Sequence, residues 1–159
     1  MSKILTEEQA FKTSKSFKDK GFKIVLVGGC FDLLHTGHIR FLKTAKKYGI
    51  LFVLLESDHT VKKLKGKNRP LNSQAERAEI LSSISFVDYV VKLKGIKSND
   101  DYDKLVLQIE PDLIVITKGD AAKAYKEKQA KLINARVVET MERIKDKSSS
   151  NLGKLINEI

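Results

Sequence analysis

Short apolar runs that alternate with helix-like segments are the strongest constraint on how this chain can fold. KIVLVGG (23–29), ILFVLLES (50–57) and DLIVITKG (112–119) are apolar almost without interruption, and FVDYVVKL (86–93) and ARVVETM (135–141) also read as strands. A strand that is apolar on both faces must be covered on both faces, which demands a parallel sheet between layers of helix. Right-handed crossovers then give a doubly wound α/β fold, with one five-stranded parallel sheet, helices on both faces and a single domain.

The intervening segments carry helix punctuation. Thr6-Glu7-Glu8-Gln9 is a capping box with Leu5 as its staple, and Gly21 ends the helix it opens. Residues 1–21 are expected as an N-terminal helix packed on the core formed by 22–159. A second helix is expected from about Thr36 to Tyr48, with Ile39, Phe41, Leu42 and Ala45 inward and Gly49 as its stop. Ser73-Gln74-Ala75-Glu76 is another capping box, opening a helix to about Ser85 after a lysine-rich loop. Asn99 or Asp100 is expected to cap a helix that ends near Glu110, ahead of Pro111. Helices over 121–134 and 148–159 complete the pattern.

The totals exclude several classes. At 159 residues the chain is the size of one domain. No apolar run approaches the ~20 residues that span a bilayer, so no membrane partner is expected. The polar start MSKILTEEQAFK lacks a secretory h-region, and the single cysteine, Cys30, leaves no intramolecular disulfide. A cytoplasmic location is the expectation. The net charge of +10 is mostly lysine and suits an anionic partner. Aromatics make up 7% of the chain, with no tryptophan, which disfavours a single-strand nucleic-acid binder. A local phosphate site fits at least as well.

In a doubly wound sheet, ligands bind outside the carboxyl ends of the strands. That rule selects Gly28 to His38, Ser57 to Arg69, Lys118 to Asp120, and Arg143 to Ser150. GGCFDLLHTGH (28–38) holds two of the three histidines in the chain. A helix-capping role, a metal site recruiting Cys30, and a phosphate site are the competing readings of that pair. A zinc site usually needs three or four close protein ligands, and His59 is the only further histidine. The phosphate reading accounts for more. Gly28 and Gly29 let the backbone approach an anion, Gly37 leaves room for a substrate, and His35 and His38 sit at a helix N-terminus that favours negative charge. At the other end, Ser148, Ser149 and Ser150 with Arg143 offer further phosphate donors.

GGCFDLLHTGHIRFL resembles the first signature of the HxGH nucleotidyltransferase superfamily, in its cytidylyltransferase-like branch. RIKDKSSSNL (143–152) resembles the second signature, an arginine followed by a Ser/Thr cluster. The resemblance covers about residues 22 to 159 and implies a Rossmann-like nucleotidyltransferase domain. It implies that His35, His38, Lys65 and Arg143 contact the reacting phosphates, with Lys63 and Lys67 as rivals to Lys65. Gly28, Gly29, Cys30, Phe31, Gly37, Lys118, Gly119, Asp120 and Ser148 to Ser150 would line the nucleotide site. Asp32, Asp58, Arg69 and Arg77 would face the acceptor. Mg²⁺ is implied as a cofactor held mainly by the triphosphate, with no metal ligand from the protein.

The N-terminal helix and the LKGKNRPLN pattern (64–72) look most similar to heptose-1-phosphate adenylyltransferase domains, often fused to a sugar kinase. Glycerol-3-phosphate cytidylyltransferases come next. The implied partners are an NTP, ATP favoured, and a phosphorylated sugar or polyol acceptor. No nucleic-acid partner is implied, and a homodimer is open. The alternatives are a cytidylyltransferase for a polyol phosphate, a non-enzymatic nucleotide- or nucleic-acid-binding module, and a metal-dependent hydrolase at Cys30, His35 and His38. Cys30 as a covalent nucleophile would need a base that the sequence does not indicate.

Overall fold

Alternate residues of the central strands pack into two separate cores. Val25, Val27, Leu51, Val53, Leu55 and Val90 join one, and Ile24, Leu26, Phe52, Leu54 and Val91 join the other. This division is why the strands read as unbroken apolar runs. The computed structural model describes residues 2–95 and 98–142. The expected closing helix, with Arg143, Ser148, Ser149 and Ser150, lies outside the described residues.

Within them the elements run β1 (Ile4–Leu5), α1 (Glu7–Asp19), β2 (Ile24–Gly29), α2 (Thr36–Lys46), β3 (Ile50–Leu55) and α3 (Asp58–Lys65). They continue α4 (Gln74–Ser82), β4 (Tyr89–Lys92), α5 (Asn99–Ile109), β5 (Leu113–Lys118), α6 (Lys123–Leu132) and β6 (Arg136–Glu142). All pairings are parallel, in the order β1-β4-β3-β2-β5-β6. Helices α2 and α4 supply Phe41, Leu42, Ala45, Ala78 and Leu81 to one core. Helices α1, α5 and α6 supply Ala10, Leu105, Val106, Ile109 and Ala130 to the other. The chain lays β3 and β4 on one side of β2 and then returns to lay β5 and β6 on the other. The order therefore reverses at β2, and the crevice that a doubly wound sheet offers to ligands opens there.

Among the described residues the sheet has six strands rather than the expected five. The extra one is β1, which pairs Ile4 with Val90 and Leu5 with Val91 at the sheet edge. Two residues are too few to leave a periodic signal, and β1 owes its existence to its neighbour. The lysine-rich segment after β3 is also not a simple loop, because α3 occupies Asp58–Lys65. Val61 is its buried residue, so the sequence shows little apolar stripe there. The strand expected over 86–93 contracts to Tyr89–Lys92, and the cap of α5 is Ser98 rather than Asn99 or Asp100. Both capping boxes form as read, at Thr6 with Gln9 and at Ser73 with Glu76.

Candidate active site

At the carboxyl ends of β2 and β5 a cavity of about 320 Å³ opens between the strands and the start of α2. Gly28 to Phe31, His35, Gly37, His38, Lys65, Thr117 and Asp120 are among the residues that line it. His35 is the N-cap of α2, and its Nδ1 accepts the Gly37 amide at 3.1 Å. An accepting Nδ1 places the proton of the neutral ring on Nε2. The ring of His38 stacks on that of His35 with centroids 3.9 Å apart, and Phe31 lies 5.3 Å from His38 on another side. His35 thus caps α2 while both histidines line the cavity.

The two leading glycines do different work. A Cβ on Gly28 would meet only the Leu54 side chain, at 3.9 Å, so leaving it out keeps the cavity open. A Cβ on Gly29 would strike the Phe31 ring at 2.9 Å. Phe31 itself has φ of 45°, the left-handed region that bulky residues avoid, and Gly29 makes room for the ring turned back by that conformation.

Beneath the cavity lies a buried polar brace. Arg77 of α4 is 1% exposed. Its guanidinium donates to the carbonyls of Cys30, Asn72 (3.1 Å) and Glu56 (2.9 Å), and to the Asp58 carboxylate at 2.7 Å. It thereby ties together the ends of β2 and β3 and the start of α3. Asp32, fully buried, pairs with Arg69 and accepts the amides of Leu71 (2.8 Å) and Asn72 (3.3 Å). Asp32, Asp58, Arg69 and Arg77 were expected to face the acceptor. The structure pairs them with one another, Arg77 with Asp58 and Arg69 with Asp32, and the Asp58 side chain keeps about half of its surface exposed.

Lys65, at the end of α3, reaches the cavity, while Lys63 and Lys67 are exposed. Asp120 also lines it, while Lys118 and Gly119 are exposed and Gly119 serves the turn with φ of 73°. Cys30 lines the cavity half-buried, and burial pushes its thiol up despite the opposing charge of Lys65. That makes it a poor nucleophile.

Sequence reasoning missed Lys126, which lines this cavity and holds Asp120 at 2.8 Å. In the lysine-rich α6 nothing in the spelling marks it. A second cavity, also of about 320 Å³, opens on the other face of the sheet and includes Glu56, Tyr102 and Tyr125. Glu56 falls one residue before the Ser57–Arg69 segment that the strand-end rule selected.

Among the described residues, no group of three His, Cys, Asp or Glu side chains converges on one point. The imidazole and ammonium donors of the first cavity suit phosphate oxygens, and a divalent ion would fit there as part of a bound nucleotide. Among the same residues no helix is long and apolar enough to cross a membrane.

The cytidylyltransferase-like family matches the chain over residues 26–152. The bifunctional protein HldE of Wolinella succinogenes is 43% identical over 114 residues, covering 71% of this chain and 23% of the relative. The HldE protein of Campylobacter jejuni subsp. doylei is 40% identical over 158 residues, covering 99% of this chain and 31% of its own length. The chain thus spans less than a third of these curated relatives. Among solved structures, the lipopolysaccharide core biosynthesis protein of Thermoplasma volcanium superposes with a TM-score of 0.61 at 25% identity, over 77% of this chain and 98% of that one. The pantoate-beta-alanine ligase of Francisella tularensis shares the fold, with a TM-score of 0.68 at 18% identity over 100% of this chain and 79% of that one. With the matched region running from β2 past β6, the chain belongs to the cytidylyltransferase-like family.

Proposed function

We propose that this domain transfers a nucleoside monophosphate from an NTP, ATP by preference, to a phosphorylated sugar such as heptose 1-phosphate, releasing pyrophosphate. The stacked pair of His35 and His38 at the N-terminus of α2, beside the point where the strand order reverses, carries the reading. Its similarity to the HldE proteins favours the adenylyl donor and the sugar phosphate acceptor.

An acceptor phosphate oxygen attacks the α-phosphorus in line. A new P–O bond forms, the bond from the α-phosphorus to the α,β-bridging oxygen breaks, and pyrophosphate leaves with the electron pair. A phosphate dianion needs no general base, so the protein contributes position and charge stabilisation. His35, through Nε2–H, and His38 donate to the oxygens of the crowded phosphorus, helped by the positive end of the α2 dipole. Lys65 gathers the outer phosphates, and Arg143 with Ser148 to Ser150 would orient the triphosphate from the far end of the chain. The nucleotide's own phosphate oxygens would hold Mg²⁺, which would neutralise part of the triphosphate charge beside His35, His38 and Lys65. The Arg77 and Asp32 braces are positioning elements in this scheme.

The test is a pyrophosphate-release screen of ATP and CTP against heptose 1-phosphate and glycerol 3-phosphate. Release with ATP and heptose 1-phosphate is expected. Release only with CTP and glycerol 3-phosphate would replace this reading by the cytidylyl one, and silence in every pairing would refute both.

A further inference from the structure

The second cavity lies between the sheet and helices α3, α5 and α6, and it shares Gly28, Gly29, Cys30 and Lys126 with the first. A molecule seated in one therefore meets a molecule seated in the other across the end of β2. In-line transfer needs that relationship between acceptor and nucleotide.

The two cavities differ in chemistry. The first presents imidazoles and Lys65. The second has an apolar floor, with Leu26 and Ile114, and a wall of Glu56, Tyr102, Tyr125 and Gln129. Neutral phenols and an amide over an apolar floor match the hydroxyls and C–H faces of a polyol rather than a second phosphate chain.

Within that wall Glu56 is out of keeping with a purely structural role. It is 8% exposed, and its Oε1 accepts the Tyr102 hydroxyl. Its Oε2 is buried with no hydrogen-bond partner among the described residues. Burial pushes the carboxyl up, with the Tyr102 hydrogen bond opposing the shift. An unsatisfied buried carboxyl oxygen costs stability that a leucine there would not cost. The residue is nevertheless held firmly, its own carbonyl fixed by Arg77 at 2.9 Å.

We propose that the second cavity is an acceptor subsite that takes the hydroxylated body of the sugar phosphate. Glu56 reads one of its hydroxyls, and Lys126, at the neck between the cavities, receives its phosphate. This rests on the nucleotidyl-transfer reading above, and it places acceptor recognition in residues other than the buried Asp32, Arg69 and Arg77.

The experiment compares wild type with Glu56→Leu and Tyr102→Phe, using ATP and heptose 1-phosphate, and records KM for each substrate, kcat and Tm. A lost hydrogen bond to a charged or strongly polar group corresponds to about a tenfold to hundredfold rise in acceptor KM for Glu56→Leu. ATP KM is expected to stay within about twofold, since uniform binding is lost for one substrate alone, and Tm to hold or rise. Tyr102→Phe, which frees Glu56 without removing it, is expected to shift acceptor KM less. An unchanged acceptor KM, or equal rises for both substrates with a falling Tm, overturns the subsite. Should wild type release no pyrophosphate, the function reading fails, and calorimetric titration of heptose 1-phosphate into the protein with a non-hydrolysable ATP analogue tests the cavity directly. Binding that Glu56→Leu abolishes would keep the subsite, and no binding to wild type would overturn it.

Discussion

His35 and His38 stack with ring centroids 3.9 Å apart, and His35 also holds the Gly37 amide through its Nδ1. The two substitutions should therefore differ. His38→Ala is expected to cut kcat by about a hundredfold to a thousandfold, the usual cost of losing one charge-stabilising donor, with little change in Tm. His35→Ala should lose similar turnover and also about 1 kcal/mol of stability, because it removes a helix cap. His35→Asn should restore the stability and leave turnover low. Thermal melts beside steady-state kinetics separate the two roles.

Arg77 should behave as a brace. Arg77→Met leaves the buried carbonyl of Glu56 and the part-buried carbonyls of Cys30 and Asn72 without their donor, and the loss of one side of such a network costs about 3–5 kcal/mol. Chemical denaturation is the measurement. A fully stable variant with a selective rise in acceptor KM would instead support the direct substrate role that the family resemblance implies.

Glu56 ties stability to pH. Its carboxyl is pushed up in the folded protein by burial. The stability it contributes is therefore complete below the ordinary carboxyl range and is lost as pH rises through the raised value. Melting temperatures of wild type and Glu56→Gln, followed from acid to neutral pH, should show wild type losing ground to the variant as pH climbs. A constant difference across the range would contradict this.

Cys30 should alkylate slowly. Burial pushes its thiol up, so less thiolate is present at a given pH than for an exposed cysteine. Iodoacetamide labelling followed by mass spectrometry is expected to be slow and, on the proposed function, slower still with ATP present, because Cys30 lines the cavity beside His35 and His38. Labelling unaffected by ATP would place the nucleotide elsewhere.

Much of this was legible in the sequence, for physical reasons that also explain the gaps. Val25, Leu26 and Val27 alternate between two apolar cores, so β2 had to be an interior parallel strand. Thr6 and Ser73 announce their helices because a capping box is a local device whose parts sit three residues apart. The histidine pair stood out because it follows β2, where topology concentrates ligands. By contrast, β1 exists only through pairing with β4, and no local pattern carries that information. The site electrostatics were harder still. Whether Arg77 meets a substrate or three backbone carbonyls depends on where α4 packs against the ends of β2 and β3, and an arginine is spelled the same in both cases.

The most direct test is identification of the product. Purified protein incubated with Mg²⁺, ATP and heptose 1-phosphate should yield an ADP-linked heptose and pyrophosphate in equal amounts, followed by phosphorus NMR and mass spectrometry. His38→Ala should yield far less of both at the same protein concentration. Pyrophosphate without the nucleotide sugar, or product formed equally well by His38→Ala, would contradict nucleotidyl transfer by this histidine pair.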